Sequence, residues 1–145
     1  MSLRLARTAD GRRLEVTREI DAPPETLWEL LVDTTQWPAW GPSVRDVDCQ
    51  DRRIRSGSTG RVQIPGGLWL PFEIRAFSPL SADPRAGDSG RWTWRVARVP
   101  ATGHRVDIRD GQPAVVFELP LAAAGYAPVC RRALARIEEL ARQSA

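Results

Sequence analysis

Residues 18–40 read REIDAPPETLWELLVDTTQWPAW. The stretch passes from the end of a strand into a helix and then into a turn carrying two tryptophans. Pro23 and Pro24 suit the first helical positions, where a missing N–H costs nothing, and Glu25 complements the helix N-terminus. Leu27, Trp28, Leu31 and Val32 then recur on one face, so the helix is short and amphipathic. Trp37 and Trp40 flank Pro38, and Gly41-Pro42 ends any helical run. This segment is expected to plug two indoles into a core.

Upstream, RLEVTREI (13–20) alternates with Leu14, Val16 and Ile20 on one face, the period of a half-buried strand, and Arg18 falls on that apolar face. Downstream, strand signals occupy 43–50, 58–65 and 68–77, separated by Ser56-Gly57 and Gly66-Gly67, which predicts an antiparallel meander. Residues 78–90 form one long Pro/Gly/Ser/Asp-rich loop, the expected mobile element. Three further strands follow over 91–97, 104–109 and 114–120, the first two joined by a loop at VPATG (99–103) and the last two by a tight turn at Asp110-Gly111. A helix over 128–142 carries Val129, Cys130, Ala133, Leu134, Ile137, Leu140 and Ala141 on one face.

The predicted order predicts an α+β domain in which the last helix covers one face of a curved antiparallel sheet. One domain is expected over 1–145, with 1–11 outside the packed elements and flexible. The chain is 42% hydrophobic and 27% charged, and no apolar run is long enough to span a bilayer, which excludes a disordered or membrane-spanning class. No cleaved signal is expected, so the predicted location is cytoplasmic. All 21 basic residues are arginine, which fits the codon usage of a GC-rich bacterial genome. The net charge of only +3, spread among 18 carboxylates, gives no nucleic-acid footprint. Two cysteines and one histidine assemble no ordinary zinc set, and no metal or other cofactor is expected.

The element order and four strings resemble the START-like (SRPBCC) superfamily, the polyketide cyclase/dehydrase and lipid-transport group. The strings are the opening stretch at 18–40, SGSTGRV at 56–62, WRVARVPATGHRV at 94–106 and GYAPVCRRALARIEEL at 125–140. The resemblance implies a helix-grip fold, an antiparallel sheet wrapped around a long C-terminal helix. It also implies an apolar cavity for a lipid, polyketide or other small hydrophobic molecule; some relatives cyclise or dehydrate their ligand and others only carry or sense it.

Strand parity selects the residues that face such a cavity: Trp92, Trp94 and Val96, then His104, Val106 and Ile108, then Val115 and Phe117. Trp37 and Trp40 border the mouth expected from the family, and Tyr126 either projects its hydroxyl inward or packs at the helix entry. His104 either orients a ligand, acts as acid/base or serves as a structural donor. Arg18 either neutralises an oxyanion or reaches to an edge. Glu73 and Arg75 fall on the solvent side. Two tryptophans can fill a cavity as readily as line one.

No G-x-S-x-G, P-loop or H-E-x-x-H pattern is present, which argues against hydrolase and kinase chemistry. The reading that follows is binding of a small hydrophobic or aromatic molecule. The alternative is a polyketide cyclase, aromatase or dehydratase using His104 and Arg18, and a third is an interaction role. No nucleic-acid partner and no stable membrane insertion are expected, in a monomer or homodimer.

Overall fold

The computed structural model describes residues 1–144. Strands β1 (Ser2–Thr8) and β2 (Gly11–Glu19) form a hairpin, followed by helices α1 (Pro24–Val32) and α2 (Trp37–Trp40). A single 3₁₀ turn at Thr34–Gln36 links the two helices. Strands β3 (Asp46–Cys49), β4 (Thr59–Gln63), β5 (Trp69–Ser78), β6 (Ser89–Val96), β7 (Val99–Arg109) and β8 (Gln112–Pro120) complete one eight-stranded sheet. A 3₁₀ helix over Leu121–Tyr126 leads into α3 (Ala127–Gln143).

The sheet order is β1-β2-β8-β7-β6-β5-β4-β3, and every pairing is antiparallel. Strand β2 pairs with β8, so the first hairpin and the last strand meet one strand in from the sheet edge. On the concave face, Val16, Val115, Phe117 and Leu119 join Cys130, Ala133, Leu134 and Ile137 of α3 in the apolar core. Burial of each such side chain contributes roughly 1.5–3 kcal/mol. This is the grip expected from the helix's apolar stripe.

Two differences from the sequence expectation have local causes. Residues 2–8, outside the predicted elements, add edge strand β1, where backbone pairing with β2 overrides weak patterning. The loop expected at VPATG is absent. Strand β7 begins at Val99, opposite Val96, and the chain reverses at Ala97 and Arg98 alone, both with positive φ (53° and 66°). Two successive positive φ values match the twist of a tight hairpin, but such turns advertise themselves with Asn-Gly or Asp-Gly. Pro100 and Gly103, which read as loop signals, sit inside the strand. Between Thr93↔Gly103 and Arg95↔Pro100 the register slips, with Trp94 facing both Ala101 and Thr102. That bulge supplies one extra β7 residue at the mouth of the grip.

The convex face of the same strands is polar. Glu118 and Glu15 are buried, and their carboxylates are held by Arg105 (Nη1 to Glu118 at 2.7 Å and to Glu15 at 2.9 Å). Arg91 adds a bidentate grip on Glu118 and reaches Asp10. Gly103 is the floor of this network, because a Cβ there would lie 2.7 Å from Glu118 Oε1.

Candidate functional site: an apolar groove above an aromatic plug

The two indoles of α2 are aimed by α1. The last carbonyls of a helix have no intrahelical donors. Here the Trp37 Nε1–H donates to the Leu31 carbonyl at 2.9 Å and the Trp40 Nε1–H to Leu30 at 2.8 Å. The helix end and the rings therefore satisfy each other, and both rings are driven under the sheet.

There they fill the grip. Trp37 stacks on Trp92 (centroids 5.4 Å apart) and meets Trp94 edge-on and Phe72 at a tilt. Trp40 packs on Phe117, and His104 lies over Trp92 with centroids 3.9 Å apart. Of the two outcomes open for the tryptophans, filling holds in the deep interior. What remains against His104, Trp40, Cys130 and Ala133 is a cavity of about 50 Å³, the scale of a small polar group and not of a ligand body.

The larger space lies at the mouth. A groove of about 480 Å³ is walled by Val62, Trp94, Val96, Ala101, Leu119 and Ala123, with Ser43, Thr102 and Tyr126 as its polar points. Ser43, Val44, Trp94, Thr102 and Tyr126 line both spaces, so the groove opens directly above the small cavity. The Tyr126 hydroxyl hydrogen-bonds Ser43 Oγ and so straps the start of α3 to the α2–β3 loop at this junction.

One polar chain runs along the junction. The Trp94 Nε1–H, which can only donate, uses a lone pair of Thr102 Oγ1 at 3.1 Å. Thr102 Oγ1 also meets His104 Nε2 at 2.9 Å. The Nδ1–H tautomer of the ring accepts from the Thr102 hydroxyl at Nε2, and the Nε2–H tautomer donates to it. Burial pushes the His104 pKa down to about 3, against a smaller opposing effect of the Trp92 backbone; Arg91 also lowers it. His104 Nδ1 and Trp92 Nε1 are buried without a well-formed hydrogen bond. Burial alone raises the Cys130 thiol to about 12, so this sulfur at the cavity wall is an inert packing group.

Of the residues selected from sequence, Trp94, Val96 and Tyr126 line the groove, and Trp37, Trp40, Trp92, His104 and Phe117 line the small cavity. Val106, Ile108 and Val115 line neither; they are core residues farther along the same strands. Arg18 is on the inner side, as parity requires, but its guanidinium donates to Glu138 of α3 at 2.8 Å and lines neither space. That contact holds Glu138 below the usual carboxylate range. Glu73 and Arg75 pair with each other at the surface. Thr102 shares a strand face with His104, but it lies within the stretch 99–103 expected as a loop, where strand parity does not select it. Ser43, Val44 and Ala123 carry no sequence signal, since only the fold brings their loops together.

Solved structures share the fold. A hypothetical protein from Helicobacter pylori superposes with a TM-score of 0.67 at 10% identity, covering 88% of this chain and 84% of that one. A solution structure from Staphylococcus epidermidis gives a TM-score of 0.67 at 13% identity over 100% and 96% of the two chains. A protein from Chromobacterium violaceum gives 0.62 at 16% identity over 89% and 96%. No curated protein matches the chain. The family model described as polyketide cyclase/dehydrase and lipid transport matches residues 12–142, and with the grip and its apolar opening in place, the chain belongs to that family.

Proposed function

We propose that the protein binds one small hydrophobic or aromatic molecule in the groove between the β4–β8 strands and the start of α3. The observation that carries this reading is the groove itself: about 480 Å³, apolar on nearly every wall, with its few polar points gathered where it meets the small cavity. Such a site draws affinity from buried apolar area and orientation from one or two hydrogen bonds. The ligand body would lie against Val96, Leu119 and the Trp94 ring, with a polar end toward Thr102 and the Tyr126–Ser43 strap. An acyl chain or a flat polycyclic body both suit that outline.

A cyclase or dehydratase would need an acid or base at the ligand. The buried His104 ring lines the small cavity and not the groove, its Nε2 is occupied by Thr102, and Arg18 lines neither space and is engaged by Glu138. Binding is therefore the reading that the geometry supports best. The test is a titration of tryptophan fluorescence with a panel of fatty acids and polycyclic aromatics. Saturable 1:1 binding that Ala101→Trp abolishes without loss of fold supports the groove as the site. Saturable binding untouched by that substitution, or none across the panel, rejects it.

A further inference from the structure

The molecule is polarised along its strands. At the mouth end the chain reverses in IPGGLW (64–69) and VARVPA (96–101), and leaves β8 through LPLAAAGY (119–126); across all three segments the one charged residue is Arg98. At the opposite end the connections carry Asp51, Arg52, Arg53 and Arg55, then Asp83, Arg85 and Asp88, then Arg109 and Asp110. The β1–β2 turn and the α2–β3 loop also lie at the mouth end, as the antiparallel register dictates.

The apolar residues at the mouth are not packed away. Leu68 is 62% exposed, Val99 62% and Leu121 46%, and the 3₁₀ helix Leu121–Tyr126 buries none of its residues. Each of the three stands beside the groove without lining it: Val99 next to Pro100, Leu121 next to Pro120, and Leu68 through its carbonyl to the Ile64 N–H. Around this apolar collar lie the exposed arginines Arg12, Arg45 and Arg98, with Arg13 half-buried beside them. The carboxylates at this end are Asp46, Asp10, which is already paired with Arg91, and Glu73, which shares a surface hollow with Arg98 and is already paired with Arg75.

We propose that this end docks on the surface of a bilayer containing anionic lipid, with the groove mouth facing the membrane. Apolar tips ringed by cations match acyl chains beneath anionic headgroups, the combination by which proteins lie on a membrane without spanning it. No helix of the described residues is long and apolar enough to cross one. Charge also selects against a second copy as the occupant. Two mouths face to face would oppose Arg12, Arg45 and Arg98 of each chain to their like. Docking places the groove where an apolar ligand can enter or leave without crossing water.

The experiment is co-sedimentation of the full chain with phosphatidylcholine vesicles, alone and doped with phosphatidylglycerol. Binding to the doped vesicles is expected, weakened by salt. Arg98→Ala should lower partition about fivefold, the weight of one cation near such a surface. Leu68→Asp with Val99→Asp should abolish it while leaving thermal unfolding and fluorescence binding of a soluble ligand in the absence of vesicles unchanged. Docking can thus fail while the groove still binds, and the reverse. Equal binding to neutral and doped vesicles, binding to neither, or full binding by the Asp variant overturns the proposal. A concentration-dependent dimer that Val99→Asp dissolves would assign this face to a second copy instead.

Discussion

Trp92 and His104 are register partners across the β6–β7 ladder, and their rings stack with centroids 3.9 Å apart and planes 25° from parallel. The stack removes the imidazole from water, and a proton on it would be a buried charge with no carboxylate partner. Unfolded, the same ring titrates near its ordinary value of about 6.5. Above that pH it is neutral in both states and contributes no pH dependence. Below it, the unfolded chain takes a proton that the folded chain refuses until about pH 3, so stability falls as pH falls. The slope is at most about 1.4 kcal/mol per pH unit. His104→Phe keeps the stack and removes the titration. Urea unfolding of both proteins from neutral to mildly acidic pH should show curves that converge as the wild type loses its advantage; parallel curves would mean that His104 protonates in place.

Trp37 is 1% exposed and touches Phe72, Trp92 and Trp94. Trp37→Ala should cost about 3–5 kcal/mol, the usual penalty for emptying a large aromatic site. It would also leave an indole-sized void. Added indole should then raise the melting temperature of the variant and leave that of the wild type unchanged. A variant indifferent to indole would show that the core collapses instead of leaving a void.

Gly103→Ala tests the convex network. The new methyl would sit 2.7 Å from Glu118 Oε1 and 3.1 Å from its Cδ, while Arg91 and Arg105 hold that carboxylate in place. A loss of about 2 kcal/mol is expected, from overpacking and a loosened buried ion pair. In a Glu118→Ala background the same substitution should cost far less, because its obstacle is gone. Additive losses in chemical denaturation would locate the strain elsewhere.

Tyr126→Phe removes one hydroxyl from a residue 38% exposed, so stability should change by under about 1 kcal/mol. The strap to Ser43 is lost, however, at the junction of groove and cavity. Dissociation of a bound fluorescent fatty acid, followed by stopped-flow displacement, should speed up severalfold while the melting temperature holds. An unchanged rate would make the strap a packing detail.

Glu118 and Thr102 show where local reading stops. Parity assigns Glu118 to the convex side, but its burial depends on Arg91 and Arg105 arriving from two other strands. Thr102 was legible only to a reader who placed the reversal at Ala97–Arg98, and that turn has no glycine or asparagine to announce it. Its position beside His104 then follows from the strand period.

By itself the sequence determined the periodic elements, because hydrophobic alternation and the 3.6-residue stripe are local properties of the chain. From these came the antiparallel sheet, the covering C-terminal helix and the inward faces of Trp92, Trp94, His104 and Phe117. What only the tertiary structure decided was how the enclosed space is shared. Seven aromatic side chains from α2, β5, β6, β7 and β8 converge and fill the depth of the grip, leaving the open volume at its mouth. Whether facing side chains close a space or line it depends on their summed volume against the sheet's curvature, and no single segment encodes that balance.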